Sequence, residues 1–392
     1  MSSDKINIIV VAFNRPSSLN RLLKSLNDAN YHNDTVRLII SVDGGKDKKN
    51  KKVISIANNF VWNYGEKIVI THKNNLGLKK HILKCGDLSK KYGDIIMLED
   101  DLFVSCEFYF FAKNSLNFFA KNSKIAGISL YSQNYNETAN KKFVPLKFKG
   151  ENYFLQLASS WGQAWTTEQW NDFKSWYLMK KEDDFSSENI PQNIKNWPNS
   201  SWKKYFIKYM IEKDKYFVYP YTSYVTNMGE IGTNNTQKTN TLQVPIQLNK
   251  ITKIDFIKFK ESKSIYDSFH ENIYLKDKLE TKYKGKCIVD IYGEKKLNSD
   301  IDYVLTTKTL PKKILDEYSL EMYPHDQNIF LDIKGKGIFL YDMKSDNHNY
   351  KTNRMFYNYK KINYYYFKEP ISLKKIFYYL LIELYFRLFK NN

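Results

Sequence analysis

The sequence predicts an α/β protein built on a mostly parallel, doubly wound sheet with helices on both faces. Three observations predict it. Over residues 6–130, short apolar runs alternate with segments whose apolar residues recur at helical spacing. The runs end in polar or glycine-bearing turns: Asp43-Gly44-Gly45, Asn75-Leu76-Gly77 and Glu99-Asp100-Asp101. The last turn follows Ile95-Ile96-Met97-Leu98, an unbroken apolar run that reads as a strand buried on both faces. Strand–helix alternation implies right-handed crossovers. All these strand ends therefore lie on one edge, the edge where open α/β sheets bind ligands.

Each element has its own justification. Residues 6–12 are a first strand, broken by Phe13-Asn14-Arg15-Pro16. Proline suits a first helical turn, and Leu19, Leu22, Leu23 and Leu26 follow at helical spacing. A second strand, 36–42, ends in Asp43-Gly44-Gly45, and Val53, Ile56, Ala57, Phe60 and Val61 mark the next helix. A third strand, 67–71, precedes the Asn75-Leu76-Gly77 turn and a helix over 78–92. The fourth strand carries the acidic triplet. Ser105 is a candidate cap for a helix burying Phe108, Phe111, Leu116 and Phe119, and 124–130 is a fifth strand.

Three adjacent carboxylates repel one another, and a divalent cation relieves that repulsion. Hard oxygen ligands suit Mg²⁺ or Mn²⁺, which in turn hold diphosphates. Taken alone, the triplet is equally a solvated acidic turn, and Arg15 a surface cation. Their order and placement point to a site.

The totals narrow the function classes. The chain has 392 residues, 42% of them hydrophobic, and a formal net charge of +19. That sign favours phosphates, nucleic acid or an anionic membrane, although the Lys- and Asn-rich composition is itself a source of charge. No zinc-finger, RNP or helix-turn-helix pattern supports nucleic acid. The three cysteines lack metal-ligand spacing and fit a reducing cytosol. The N-terminus reads directly into a strand, and no apolar stretch reaches the ~20 residues of a membrane span.

Residues 6–130 resemble the nucleotide-sugar half of a GT-A glycosyltransferase. Val10-Val-Ala-Phe-Asn-Arg-Pro, Ser41-Val-Asp-Gly-Gly, Asn75-Leu-Gly-Leu and Leu98-Glu-Asp-Asp-Leu fall in that family's order. The chain is most similar to bacterial family 2-type enzymes and the N-acetylglucosaminyltransferase I family, which carry Glu-Asp-Asp. The resemblance implies that Asp43 binds uracil, Arg15 lies near the nucleotide and Asp100 contacts ribose. It implies Asp101 as the direct ligand of Mn²⁺ (or Mg²⁺) and Glu99 as a wall of the nucleotide pocket. Ala12, Gly44, Asn75, Gly77 and Lys79 complete the implied nucleotide-sugar site. Trp161 and Gly162 of Trp161-Gly-Gln-Ala-Trp165 border acceptor and donor sugar in the family; Trp165 and Trp170 read as core. Ser201-Trp202, Tyr219-Pro220 and Asn227 to Gly232 extend the resemblance to about residue 235.

Two departures concern the base. Relatives often place an acid beside the Ser-Trp pair and a histidine after the last glycine. Here Asn199-Ser200-Ser201-Trp202 and Thr233-Asn234-Asn235 stand instead. Asp183, Asp184 and Glu188 are the nearest acids in the segment.

The expected organisation is a glycosyltransferase domain over 1–245 (nucleotide-sugar half 1–130, acceptor half 131–245). A connecting segment over 246–282 and a small α/β or β appendage over 283–368 follow. In the tail, 369–392, Leu373, Phe377, Leu381, Leu384, Tyr385, Leu388 and Phe389 share one helical face. That face suits an interfacial helix on an anionic bilayer; docking on this chain, or on a second copy as a homodimer, is the alternative. The activity expected is metal-dependent, inverting transfer from a UDP-sugar to a saccharide or lipid-linked acceptor. Bacterial surface polysaccharide or lipid-linked glycan assembly would be its setting, and the inner face of the cell membrane its place. A nucleotide-sugar-binding protein without turnover and a basic nucleic-acid-binding protein are the other classes.

Overall fold

The computed structural model describes residues 6–180, 184–230, 239–346 and 360–365, with Phe377, Tyr378, Leu380, Leu381 and Leu384 of the tail. The chain divides into two compact units. The first comprises 1–138, 145–274 and 294–296, and the second 139–144, 275–293 and 297–392.

The first unit is a mixed α/β fold around a large, mostly parallel sheet. Its first elements are β1 (Asn7–Ala12), α1 (Pro16–Asn27), β2 (Leu38–Val42), α2 (Lys48–Asn59), β3 (Lys67–Thr71), α3 (Leu78–Asp87), α4 (Ser89–Tyr92) and β4 (Ile95–Glu99). Then come β5 (Leu102–Val104), α5 (Phe108–Phe119), β6 (Ile125–Ser129), the two-residue β7 (Tyr135–Asn136), β9 (Asn152–Leu155) and β10 (Gln163–Trp165), while the two-residue β8 (Lys141–Lys142), between β7 and β9 in sequence, belongs to the second unit. The unit continues with α6 (Thr167–Met179), α7 (Gln192–Asn196), α8 (Trp202–Glu212), β11 (Tyr216–Pro220), β12 (Val225–Asn227) and β13 (Ile265–Tyr266).

The nine-stranded sheet runs β13-β9-β11-β6-β10-β4-β1-β2-β3. β1 pairs parallel to β2 on one side and to β4 on the other. Chain order thus reverses between β1 and β4, which makes that gap the topological switch point. β10 runs antiparallel between β4 and β6. It is absent from the expected strands, because three residues reading Gln-Ala-Trp carry no period.

One sheet face packs Ile8, Val10, Leu38, Ile40, Ile96 and Leu98 against Leu19, Leu22 and Leu26 of α1, Val53 of α2 and the phenylalanines of α5. Side chains alternate along a strand, so Trp165 lies on the other face. There it packs against Trp170, Phe206 and Phe217 from α6, α8 and β11. Trp165 and Trp170 are both fully buried, as the core reading requires. α3 approaches this layer closely at Gly86, where a Cβ would come within 1.9 Å of the Trp170 ring.

Local chemistry sets several boundaries. Pro16 occupies the first turn of α1. Thr166 and Gln169 form a reciprocal capping box that starts α6, a Thr-x-x-Gln signal legible in sequence. The α5 cap is Glu107 and not Ser105; the Ser105 hydroxyl instead accepts from the Glu107 amide at 3.3 Å in the turn before the helix. Val61 is 69% exposed, so α2 ends before it and buries Val53 and Ala57.

In the second unit, α9 (Ile273–Tyr283) leads into β14 (Cys287–Asp290), β15 (Tyr303–Thr306), β16 (Lys312–Tyr318), α10 (Asp326–Phe330) and β17 (Ile338–Asp346). The four strands form a sheet in the order β14-β15-β17-β16. Leu275 and Leu279 of α9 join Cys287, Val289, Leu305 and Leu340 in its core. Asn328-Ile329-Phe330 lies in α10, the helical part of the appendage. Its Asn328 Oδ1 accepts from the Glu321 and Met322 amides at 3.2 and 3.0 Å, an arrangement that side-chain periodicity does not encode. The tail helix expected over 369–392 lies outside the described residues, save for Phe377, Tyr378, Leu380, Leu381 and Leu384, which are helical and exposed. No helix among the described residues is long and apolar enough to cross a membrane.

Candidate functional site at the switch point

Three strand ends converge here. Arg15 follows β1, Asp43 follows β2, and Glu99, Asp100 and Asp101 end β4. The buried Asp100 is drawn against β1 by a hydrogen bond from its amide to the Val11 carbonyl at 3.1 Å. Arg15 spans the triplet: one guanidinium nitrogen pairs with Asp100 Oδ1, and Nη1 donates to Asp101 Oδ2 at 2.9 Å. One cation thus serves two of three adjacent acids.

The third charge remains uncompensated. Burial pushes the Glu99 carboxyl up to about 8, helped by Asp101 and Asp100 and opposed by Arg15 and Lys203. Burial likewise raises Asp100 to about 6 against the pull of Arg15. Without a cation, Glu99 is therefore largely protonated at neutral pH. The linkage sign follows: the ordinary value is 4.5 and the folded value about 8. The folded state holds a proton that the unfolded chain has released, so stability is present below 4.5 and is lost as pH rises through about 8. Glu99→Gln is expected to remove this slope. It should stabilise the metal-free protein above pH 8 by about 2 kcal/mol, discounted for partial exposure. Thermal melts across that pH range check it; parallel slopes for the two proteins would refute it.

Asp101 Oδ1 is buried and has no hydrogen-bond partner among the described residues. An orphaned anionic oxygen is costly and is the donor a hard cation takes. Among the described residues, no group of three or more His, Cys, Asp or Glu side chains could hold a metal by itself. A divalent cation held here would have Asp101 Oδ1 as its one protein ligand and would take its other ligands from outside the chain.

Asp43 organises the neighbouring loop. Its Oδ1 accepts from the Gly44 and Leu76 amides at 2.8 and 2.9 Å, and Oδ2 from Gly77 at 3.1 Å. The Ala12 carbonyl accepts from the Asp43 amide at 2.9 Å. Asn50 Nδ2 donates to the Phe13 and Asp43 carbonyls at 2.7 and 2.9 Å, fastening α2 to the same hub. Gly44 is required by close approach: a Cβ there would come within 2.3 Å of the Asn74 backbone. Gly77 has φ +74 and starts α3, the conformation glycine adopts without strain. Asn75 is exposed and its Oδ1 accepts from the Gly77 amide at 2.8 Å. Lys79 turns away to lie over the Tyr205 ring, 4.4 Å from its centre.

On the far side, Trp161 is half-buried and meets Tyr131 edge-on at 4.8 Å. Gly162, at φ +83, passes close to Leu98, Leu130 and Val225. Lys203 lies over both Trp161 and Trp197, 5.5 and 5.1 Å from the ring centres. Sequence reasoning missed it, although it directly follows the Ser201-Trp202 pair that was singled out.

β12 pairs with β5, and the Met228 amide donates to the Asp101 carbonyl at 3.0 Å. This brings Glu230 to α1, where it accepts from Ser18 Oγ and from Arg21 Nη1, the latter at 2.7 Å. The Arg21 bond, with help from Ser18, holds Glu230 down at about 2. Glu230 stands inside the Asn227-to-Gly232 stretch, and no local pattern in the sequence marks it as a partner of α1. Of the acids named for the base, Asp183 lies outside the described residues. Asp184 and Glu188 are exposed in the segment after α6, and Asp184 accepts from the Ser186 amide at 2.8 Å, which lowers its carboxyl.

No family model matches the chain, and no protein of curated function matches it. Among solved structures, S. aureus TarS 1-349 in complex with UDP-GlcNAc superposes with a TM-score of 0.39 at 13% identity, covering 61% of this chain and 62% of that one. S. aureus TarS gives 0.36 at 14% identity, covering 56% of this chain and 36% of that one. The mannosyltransferase PcManGT from Pyrobaculum calidifontis, in complex with GDP-Man and Mn²⁺, gives 0.30 at 9% identity, over 42% and 44%. The chain thus spans less than two thirds of the length of each. The function proposed below rests on the geometry of the site.

Proposed function

We propose that this chain is a metal-dependent, inverting glycosyltransferase that moves a sugar from a UDP-sugar to a saccharide acceptor, free or lipid-linked. One observation carries the reading: an acidic strand end at the β1/β4 switch point, braced by Arg15, with Asp101 Oδ1 buried and unpartnered. Asp101 would hold Mn²⁺ or Mg²⁺, which when bound supplies positive charge against the diphosphate and the leaving nucleotide. Arg15 fixes the triplet's geometry and keeps Asp101 aimed at the metal position. Asp100, buried beside β1, is proposed to meet the ribose. The Asp43 hub is proposed to shape the base pocket through the loop it fastens, together with Gly44, Asn75 and Gly77. Trp161 offers a flat apolar face to a sugar ring, and Lys203 beside it offers a donor to hydroxyls. The proton of the acceptor hydroxyl must leave to a base on the face opposite the departing nucleotide; Asp183, Asp184 and Glu188 remain the proposed candidates.

A second reading has a specific observation behind it. The residue after Trp202 is Lys203, where relatives often carry an acid near that pair; this favours a binder of nucleotide-sugars that does not turn over. A donor panel separates the two: UDP-, GDP-, CDP- and dTDP-sugars with Mn²⁺, following nucleotide release with mixed saccharide acceptors. Release of UDP dependent on acceptor supports the transferase. Mn²⁺-dependent UDP-sugar binding without release supports the binder, and no response to any nucleotide refutes both.

A further inference from the structure

The nucleotide end of the sheet carries a rim of lysines for which the site has no use. Lys46, Lys48, Lys49, Lys51 and Lys52 follow β2 into α2, and Lys73, Lys79, Lys80 and Lys84 follow β3 into α3. The two stretches are one surface. Gly44 lies against the Asn74 backbone, and the Asp43 carboxylate bonds the amides that open α3. All nine lysines but Lys79 are exposed. None forms an ion pair among the described residues; some lysines elsewhere do, such as Lys113 with Asp34 and Lys174 with Asp87, and others, such as Lys250, Lys253 and Lys260, do not.

The rim also works against the helices that bear it. Neither α2 nor α3 has an acid in its first turn. Lysines there face the positive end of each helix dipole. Asp47 is the one acid within 44–52, and its carboxylate is committed to capping α2 at the Asn50 amide, 2.6 Å away. An outside anion would relieve both the dipole clash and the mutual repulsion.

The residue types indicate which anion. The stretches 43–52 and 72–84 contain no arginine and no Phe, Tyr or Trp. Guanidinium forks suited to bidentate phosphate recognition are absent, as are rings on which bases could stack. What remains is mobile point charge on long apolar stems around Leu78, which is 42% exposed. That combination suits a fluid layer of headgroups rather than one ligand of fixed geometry. We propose that this rim docks the protein on an anionic lipid bilayer, setting the nucleotide end of the crevice against the membrane surface.

The proposal does not depend on the donor reading, because vesicle binding is measured without nucleotide. The full chain is sedimented with phosphatidylcholine vesicles and with vesicles one-third phosphatidylglycerol, at low and high salt. It is compared with a variant carrying Lys46→Gln, Lys48→Gln, Lys49→Gln and Lys52→Gln. A control loses equal charge elsewhere on the first unit through Lys250→Gln, Lys253→Gln, Lys258→Gln and Lys260→Gln. Expected is salt-sensitive binding to the anionic vesicles alone, weakened at least about tenfold in the rim variant and little changed in the control. Equal loss in both variants would assign the effect to total charge and overturn the proposal. So would unchanged binding of the rim variant, which would point to the tail. Wild-type protein that binds a soluble polyanion but no vesicle would overturn it as well.

Discussion

Asp101→Asn is expected to abolish metal-dependent stabilisation by UDP and to lower transfer activity on the order of 10²–10³-fold. The substitution is nearly isosteric, so the Arg15 bracket keeps its Asp100 arm and a negative charge beside Asp100 disappears. Fold stability should therefore stay within about 1 kcal/mol of wild type. What is lost is the anionic Oδ1 that no described protein group satisfies. At a UDP concentration about 100 times Kd, wild type with Mn²⁺ should gain about 2.7 kcal/mol, and the variant nothing. The measurement is a pair of melting curves, with and without Mn²⁺, for each protein. Equal UDP shifts in the two would show that Asp101 holds no metal. A UDP shift in wild type that ignores Mn²⁺ would show that Arg15 alone supplies the positive charge.

Asp43→Ala should be costly in both stability and binding. The side chain accepts from three backbone amides. Bonds to a charged acceptor are the strong kind, and removing the acceptor strands donors that were arranged around it. Gly77 is exposed and can turn to water, which limits the loss to about 3 kcal/mol. The 74–77 turn would no longer be held to β2, so nucleotide affinity should fall further than Asp43→Asn makes it fall. The amide in the Asp43→Asn variant keeps one acceptor oxygen and should recover part of both. Denaturant titration and UDP binding on the two variants test this. If Asp43→Ala melted like wild type, the loop would be held by its other contacts. If Asp43→Asn alone lost UDP, the carboxylate would act on the base directly.

Regular strands were legible in sequence. β1, β2, β4 and β6, buried on both faces, and the half-buried edge strand β3 come from apolar runs whose ends the structure moves by two residues or fewer. Leu19, Leu22, Leu23 and Leu26 face the core because helical spacing and burial are the same fact written twice. The acidic triplet was visible because charge at the end of an apolar run is a conflict that demands a reason. Less visible was everything decided by partners distant in sequence. Arg21 looks like any surface cation until Glu230, 209 residues away, is placed beside it. Lys203 gains its position from Trp161 and Trp197, neither of which is in register with it in sequence. β10 is defined by its two neighbours and not by its own residues.

The antiparallel insertion of β10 between β4 and β6 has a consequence for how the chain comes into being. As synthesis proceeds, β4 can pair with β1 at once, but its other edge must wait until Trp165 has emerged. During that interval Ile95, Ile96, Met97 and Leu98 present an apolar, unpaired rim of backbone, the kind of edge that recruits other chains. The nascent protein is therefore most vulnerable to aggregation after β6 is made and before β10 is, and a chaperone would find its client there. The segments before and after residue 130 are not modules that evolution could exchange freely, because the seam between them runs through the middle of one sheet.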